Sequence, residues 1–171
     1  MIRVLVDDLA TLAADAIVRP TTTRLEVTTA ATQRLEAAGG AEFAHASRLQ
    51  VELGVGAAVV TAGGGELPSE FVIHAVVESP TEPPTRAGVT RAWQSALQQA
   101  QAWGFARITA PPLGAGPGLL SVEDAADIMA GGLRDHLSSA GFPQDVTIVV
   151  DTPEEQSVFE TALRREALPT S

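Results

Sequence analysis

The stretch RITAPPLGAGPGLLS, residues 107–121, joins an apolar, strand-like segment to a helix start through a glycine-rich loop. Its first four residues, 107–110, have the character of a buried strand that ends at two prolines. Ser121 is typical of a helix N-cap, and Asp124 follows three residues later in the pattern of a capping box. A strand, a loop and a helix in this order predict one unit of a layered α/β domain.

The rest of the chain continues this alternation of strands and helices. Apolar and β-branched runs predict further strands at residues 2–6, 16–18, 57–61, 71–77 and 146–150. Periodicity and end signals predict helices at residues 29–38, 41–49, 85–103 and 121–139, and a last helix that Thr152 and Pro153 open. We expect Pro20 to close the second strand and Gly39-Gly40 to separate the first two helices. The result is about six strands with helices on both sides.

A few large or ionisable side chains are expected in the core. Trp93 and Trp103 are predicted core anchors, and His74 is a predicted hydrogen-bonded core residue because its strand is apolar. His45 and His136 fall in predicted helices. The three histidines lie far apart along the chain, and their spacing indicates no metal site. No Gly-x-Ser-x-Gly pattern occurs, so we name no catalytic residue and expect no cofactor.

The composition excludes several classes of protein. The chain has 171 residues, a formal net charge of −10 and neither lysine nor cysteine. Its length suits one domain, residues 1–171. An acidic chain lacks the basic footprint of a nucleic-acid-binding protein, and anionic membranes repel it. Thiolate chemistry is excluded, and neither a membrane span nor a signal peptide is visible. We therefore expect a cytoplasmic protein.

The glycine-rich loop at residues 114–118 allows two interpretations. Its three glycines let the backbone turn tightly and approach a ligand, and amides beside a helix N-terminus suit a pyrophosphate. The loop lacks the Lys-Ser/Thr pair of a nucleotide P-loop, and its glycines are misspaced for a Rossmann fingerprint. Taken alone, the loop fits a plain turn as well as a phosphate site.

Segments in matching order along the whole chain resemble macro domains. VLVDDL at residues 4–9 leads into DAIV at residues 15–18, which is similar to the opening of that family. FVIHAV at residues 71–76 is similar to the family's Tyr-Val-Ile-His-x-Val strand. The loop at residues 114–118, the helix start behind it and the strand at residues 148–151 also fit. The resemblance implies a three-layer α/β/α sandwich around a mixed sheet of about six strands.

The resemblance also implies a small-molecule site for ADP-ribose. Asp8 matches the family carboxylate that accepts a hydrogen bond from the adenine amino group, and Leu9 matches the neighbouring backbone donor. The residues that match the loop around the diphosphate and distal ribose are Gly114, Ala115, Gly116, Pro117, Gly118 and Leu119. Without the resemblance, Asp8 fits a solvated turn at the end of a strand.

The chain departs from the family pattern at several positions. RPTT at residues 19–22 stands where relatives have Asn-Ala-Ala-Asn, so the asparagines that orient the distal ribose are missing. Residues 26–29 contain no glycine where the family has its second glycine-rich stretch. Ala31 falls where some hydrolytic members have an acid, and Val150 falls where many relatives have an aromatic that stacks on adenine. Half of the pocket is therefore expected to be rewritten.

The rewritten loop is polar and carries two arginines. One hypothesis is that Arg19 or Arg24 replaces the lost contacts by pairing with a phosphate, with Thr22 beside it. The alternative is a solvated loop that contacts no ligand.

Three functions remain open from the sequence. The first is a module that binds ADP-ribose or a related adenine-diphosphate-ribose metabolite, free or on an ADP-ribosylated protein. The second is an ADP-ribosyl hydrolase or O-acetyl-ADP-ribose deacetylase, which the missing asparagines and Ala31 weaken. The third is a ligand-free scaffold for protein contacts, which Asp8 and the glycine-rich loop weaken. Binding is the function that the sequence favours.

Overall fold

The computed structural model describes residues 1–48 and 53–171, and side chains outside residues 42–52. Over these residues the strands are β1 (Ile2–Val6), β2 (Ala16–Thr22), β3 (Ala58–Ala62), β4 (Phe71–Glu78), β5 (Arg107–Ala110) and β6 (Asp145–Val150). The helices are α1 (Ala30–Arg48), α2 (Arg86–Trp103), α3 (Val122–Leu137) and α4 (Pro153–Arg165), and a short 3₁₀ helix spans Leu9–Thr11. No helix in the described ranges is long and apolar enough to cross a membrane.

The strands form one mixed sheet in the order β1-β6-β5-β2-β4-β3. β1, β6, β5, β2 and β4 run parallel to one another, and β3 pairs antiparallel with β4. The carboxyl ends of the five parallel strands therefore meet at one edge of the sheet, where α1, α3 and α4 begin after β2, β5 and β6.

Helices cover both faces of this sheet. Side chains alternate between the faces along a strand, and in β2 Val18 packs into a cluster that includes Trp93 of α2 and Phe159 of α4. The next residue back, Ile17, packs with Leu35 of α1 on the opposite face. α2, α3 and α4 thus lie on one side, and α1 with the 3₁₀ helix lies on the other. The predicted three-layer α/β/α architecture is confirmed.

The second strand is longer than predicted. It runs to Thr22, and Pro20 lies within it opposite Ala75 of β4. β5 pairs with β2 only at Ala16 and Ile17, so at Pro20 the strand has β4 as its one strand neighbour. Proline is tolerated in such edge-like positions because its missing N–H removes no bond on the open side.

The helix ends follow the predicted signals. The hydroxyls of Ser121 and Thr152 accept hydrogen bonds from the amides of Asp124 and Glu155 at 3.1 and 3.2 Å, which caps α3 and α4. α1 is interrupted at Gly40, where φ is 65° and ψ is −157°, so the expected break at the glycine pair is present. Residue 49, the expected end of the second helical segment, lies outside the described residues.

Only one of the two tryptophans is a core anchor. Trp93 is fully buried, and its indole Nε1 donates to the Met129 carbonyl at 3.1 Å. Trp103 is 52% exposed and stacks on Phe105 with ring centroids 5.7 Å apart. The prediction for Trp103 was wrong because Trp103 is the last residue of α2, where its ring contacts with Phe71 and Phe105 cover it only partly.

Two adjacent glycines of α3 give a matched test of this packing. A Cβ at Gly132 would lie 2.5 Å from Trp93 Cδ1, whereas a Cβ at Gly131 would meet nothing within 4 Å. We expect Gly132→Ala to lower the free energy of unfolding by about 1–3 kcal/mol through overpacking. Gly131→Ala should raise it by about 0.5–1 kcal/mol through helix propensity. Urea unfolding measures both, and equal effects of the two changes would contradict this account of the α2–α3 contact.

Candidate functional site

A cavity of about 550 Å³ opens at the edge of the sheet where the parallel strands end. Its walls come from the segments that follow β2, β5 and β6. The residues that line it are Pro20, Thr28, Thr29, Ala30, Ala31, Pro111, Pro112, Ala115, Gly116, Pro117, Leu119, Val122, Val149, Asp151 and Glu155. Its volume is typical of a small-molecule site.

The order of the strands sets the order of the walls. β5 lies between β6 and β2, so the glycine-rich loop after β5 lies in the middle of the cleft. The β6–α4 connection, with Asp151 and Glu155, forms one end, and the β2–α1 connection, with Thr28 and Thr29, forms the other. The cleft therefore has two chemically different ends on either side of a central loop.

The glycine-rich loop holds its shape through its own backbone hydrogen bonds. The Leu120 amide donates to the Gly114 carbonyl at 3.0 Å, and the Leu119 amide donates to the Gly116 carbonyl at 3.0 Å. Gly114 has a φ of 75°, and a Cβ there would lie 2.6 Å from Cγ2 of Val89. Glycine is required at this position because a side chain is excluded by both conformation and space.

The glycine-rich loop contains backbone amides with no protein acceptor, and one of them belongs to Ala115 in the cavity wall. Among the hydrogen bonds of the described residues, the amides of Gly114, Ala115 and Gly118 donate to no protein group. The first amides of a helix have no acceptor within the helix, and α1 and α3 begin at the cavity wall with Ala30 and Val122. These donors suit an anion.

The charged side chains of the cavity wall are acidic. Asp151 and Glu155 lie in the lining, and the described part of the lining contains no arginine or histidine. The Asp151 amide donates to Glu155 Oε2 at 2.9 Å, which fixes Glu155 at the start of α4. An anion in this cleft would therefore be held by amides and helix N-termini rather than by cationic side chains.

An arginine of α1 connects Asp8 to this cavity. Asp8 caps the 3₁₀ helix, where its Oδ1 accepts a hydrogen bond from the Ala10 amide at 3.0 Å. Arg34 Nε lies 3.6 Å from Asp8 Oδ1, and Arg34 Nη2 lies 3.6 Å from Oδ1 of Asp151. Asp8 is thus held beside the acidic end of the cleft, although it does not itself line the cavity. Leu9 is buried in the core beneath α1.

The geometry of this edge agrees with the comparison to known families. The macro domain family model matches residues 18–129, more than half of the chain. The chain belongs to the macro domain family. A protein of Aeropyrum pernix is 33% identical over 94% of this chain and 84% of its own length.

Relatives of this macro domain include a longer protein and several solved structures. A Mycobacterium tuberculosis protein is 29% identical over 92% of this chain, which spans 43% of that relative's length. A mutant of the Oceanobacillus iheyensis macrodomain, solved with ADPR, superposes with a TM-score of 0.85 at 20% identity, covering 95% of this chain and 91% of that one. The Trypanosoma brucei macrodomain in complex with ADP-ribose gives 0.84 at 20% identity, covering 95% and 68%.

Arg19 and Thr22 lie away from the cavity wall of this macro domain. Arg19 is fully buried, and its Nη2 donates to the Leu25 carbonyl at 2.7 Å. Thr22 Oγ1 accepts hydrogen bonds from the amides of Arg24 and Glu26, both at 3.2 Å. The Arg19 side chain is enclosed in the protein and makes structural contacts, whereas Arg24, the alternative partner for a phosphate, is exposed. Thr22 shapes the loop after β2.

The sequence missed the β6–α4 side of the cavity wall. Val150 is buried in the core, and the next side chain back along β6, Val149, reaches the cavity. Asp151 and Glu155 follow in the β6–α4 turn. The capping pattern that begins at Thr152, directly after a buried strand, was the available signal for this wall. Ala31 does line the cavity, as its place in the family pattern suggested.

A buried histidine completes the contacts of Arg19. Arg19 Nε donates to His74 Nδ1 at 2.8 Å, so the proton of the neutral ring sits on Nε2, which lies 2.6 Å from Thr61 Oγ1. The predicted hydrogen-bonded core position of His74 is confirmed. Burial, and then the charge of Arg19, lower the pKa of His74 well below 6.5. Burial lowers the pKa of Arg19 to about 10, against an opposing effect of Glu36.

His74 should make the stability of the fold sensitive to mild acid. The unfolded chain binds a proton at His74 near pH 6.5 and the folded chain does not, so stability is present above this pH and falls below it. The loss from this residue should reach about 1.4 kcal/mol at pH 5.5. Urea unfolding at pH 7.5 and 5.5 measures the loss, which His74→Gln should remove and His136→Gln should retain. An identical pH dependence in the native chain and His74→Gln would contradict the neutral state of this ring.

Proposed function

We propose that this macro domain binds ADP-ribose, or a related metabolite with adenine and ribose joined through a diphosphate. The carrying observation is the cleft at the carboxyl edge of the sheet, where the glycine-rich loop at Ala115 and Gly116 and the starts of α1 and α3 line a cavity of about 550 Å³. The macrodomains of similar fold that were solved with ADPR or ADP-ribose support this ligand class.

The strand order suggests the orientation of the ligand. ADP-ribose carries its diphosphate in the middle, and the glycine-rich loop lies in the middle of the cleft. We place the diphosphate on the segment Gly114–Leu119, the adenine beside Asp8 with the Leu9 amide near it, and the distal ribose against Thr28 and Thr29. The proposed adenine position follows β1 and the proposed distal ribose position follows β2, and these two strands are three strand spacings, about 14 Å, apart.

Binding without hydrolysis is the form of this function that the cavity wall supports. Ala31 lies in the wall next to the proposed distal ribose and offers no acid or base, whereas Asp151 and Glu155 lie at the other end. We propose residues 1–171 as one binding unit for free or protein-linked ADP-ribose. The absence of cysteine from the chain is compatible with a cytoplasmic location, which we also propose.

A titration with ADP-ribose tests the proposal directly. Calorimetry should show saturable binding to one site with a micromolar dissociation constant. Asp8→Asn should weaken binding by about tenfold, because asparagine still caps the 3₁₀ helix but removes a charged acceptor for the adenine amino group. Asp135→Asn, an exposed site on α3, is the control with the same charge change and should bind normally. No saturable binding of ADP-ribose to the native chain would refute the proposed function.

A methyl group at Gly116 should narrow the cleft. A Cβ there would lie 3.2 Å from Leu119 Cδ1 and 3.7 Å from Thr29 Cγ2, between the loop and the opposite wall. We expect Gly116→Ala to weaken ADP-ribose binding by about tenfold or more, which corresponds to about 1.4 kcal/mol.

The control for this change is Gly104→Ala, at the end of α2. Gly104 also has a positive φ, of 70°, but nothing lies within 4 Å of the added atom and the residue is outside the cavity wall. Calorimetry on both variants shows whether the loss of affinity is specific to the cleft or follows from any alanine at a positive φ. Equal affinity of Gly116→Ala and Gly104→Ala would show that Gly116 does not face the ligand.

A further inference from the structure

The β1–β6 end of the cleft carries three carboxylates and one cation. Asp151 and Glu155 line the cavity, Asp8 lies beside them, and Arg34 is shared between Asp8 and Asp151 at 3.6 Å from each. The four side chains have a net charge of −2. No arginine or histidine lines the cavity within the described residues, so no second cation offsets this charge in the wall.

These carboxylates keep acceptor capacity for a ligand. A carboxylate offers about four lone-pair sites. Glu155 uses one oxygen, Oε2, for the Asp151 amide at 2.9 Å, and Oε1 has no recorded partner in the described structure. The pairing of Asp151 with Arg34 involves Oδ1, and Asp151 is 67% exposed. This end of the cleft can therefore accept hydrogen bonds from hydroxyl or amino groups of a ligand.

We infer that Asp151 and Glu155 select ligands whose adenosine ribose carries free hydroxyls and reject ligands phosphorylated on that ribose. The inference rests on the proposed function, which places the adenosine at this end. A carboxylate accepts hydrogen bonds from ribose hydroxyls, whereas a nearby arginine accommodates a phosphate on the ribose. The one arginine described at this end, Arg34, is already shared between Asp8 and Asp151. Here a ribose phosphate would meet like charges, whereas the diphosphate in the middle of the cleft meets amides.

Paired calorimetric titrations with ADP-ribose and with its 2′-phosphorylated form test the inference. We expect the phosphorylated form to bind the native chain at least about tenfold more weakly, because like charges face each other in a partly enclosed site. Glu155→Gln and Asp151→Asn should each reduce the ratio of the two dissociation constants, phosphorylated form to ADP-ribose, by about threefold or more. Glutamine at position 155 can still accept the Asp151 amide, so the start of α4 is kept.

Glu154→Gln is the matched control. Glu154 stands in the same first turn of α4 and carries the same charge, but it lies outside the cavity wall. Removing the charge of Glu154 should leave the ratio of the two dissociation constants unchanged. The ratio should also fall as salt is raised, since screening weakens repulsion and leaves steric exclusion unaffected.

The outcomes separate this inference from the function on which it rests. If ADP-ribose itself fails to bind, the proposed function is wrong and the inference is lost with it. If ADP-ribose binds and its 2′-phosphorylated form binds equally well, the inference alone is overturned. A large ratio that neither Asp151→Asn nor Glu155→Gln reduces would also overturn it, because the discrimination would then have another origin.

Discussion

Parallel pairing of β1, β6, β5 and β2 is the constraint on which the cleft depends. The register joins Ile17 of β2 to Thr109 of β5, and Thr109 to Thr147 of β6. Parallel strands end at the same edge, and each must be followed by a connection that crosses the sheet. α1, α3 and α4 therefore begin at this edge, so the topology that forms the core also brings the connections before these three helices to one cavity.

This geometry explains how an acidic protein could hold the anion that the proposed function requires. The chain carries a net charge of −10 and contains no lysine, and the candidate cation Arg19 is committed to His74 and the Leu25 carbonyl. Peptide amides become the available donors. Helix N-termini and glycine-rich turns attract anions without side-chain charge, so an acidic surface and a site for a diphosphate are compatible in one molecule.

Local signals predicted most of the fold, and contacts between distant segments decided the rest. Ser121 and Thr152 cap helices because their hydroxyls act on amides three residues away, which a sequence displays directly. Whether β2 can continue through Pro20 depends on where β5 stops pairing with β2. The buried position of Arg19 depends on its hydrogen bond to His74, 55 positions away. Trp103 has helical periodicity but is the last residue of α2 and is only partly covered. The placement of Pro20, Arg19 and Trp103 therefore cannot be predicted from the periodicity of apolar residues.

The candidate site also has a part that local sequence signals predicted and a part that contacts between distant segments decide. The loop containing Gly114 was predicted because turn chemistry and a following N-cap are adjacent in sequence. Thr29, Asp151 and Glu155 line the same cavity but follow other strands, and only the order of the strands in the sheet brings them beside the loop. Since β6 and β2 flank β5, amides occupy the middle of the cleft and carboxylates one end. The polarity of the cleft, and with it the direction in which a ligand would lie, is therefore a property of topology rather than of any one motif.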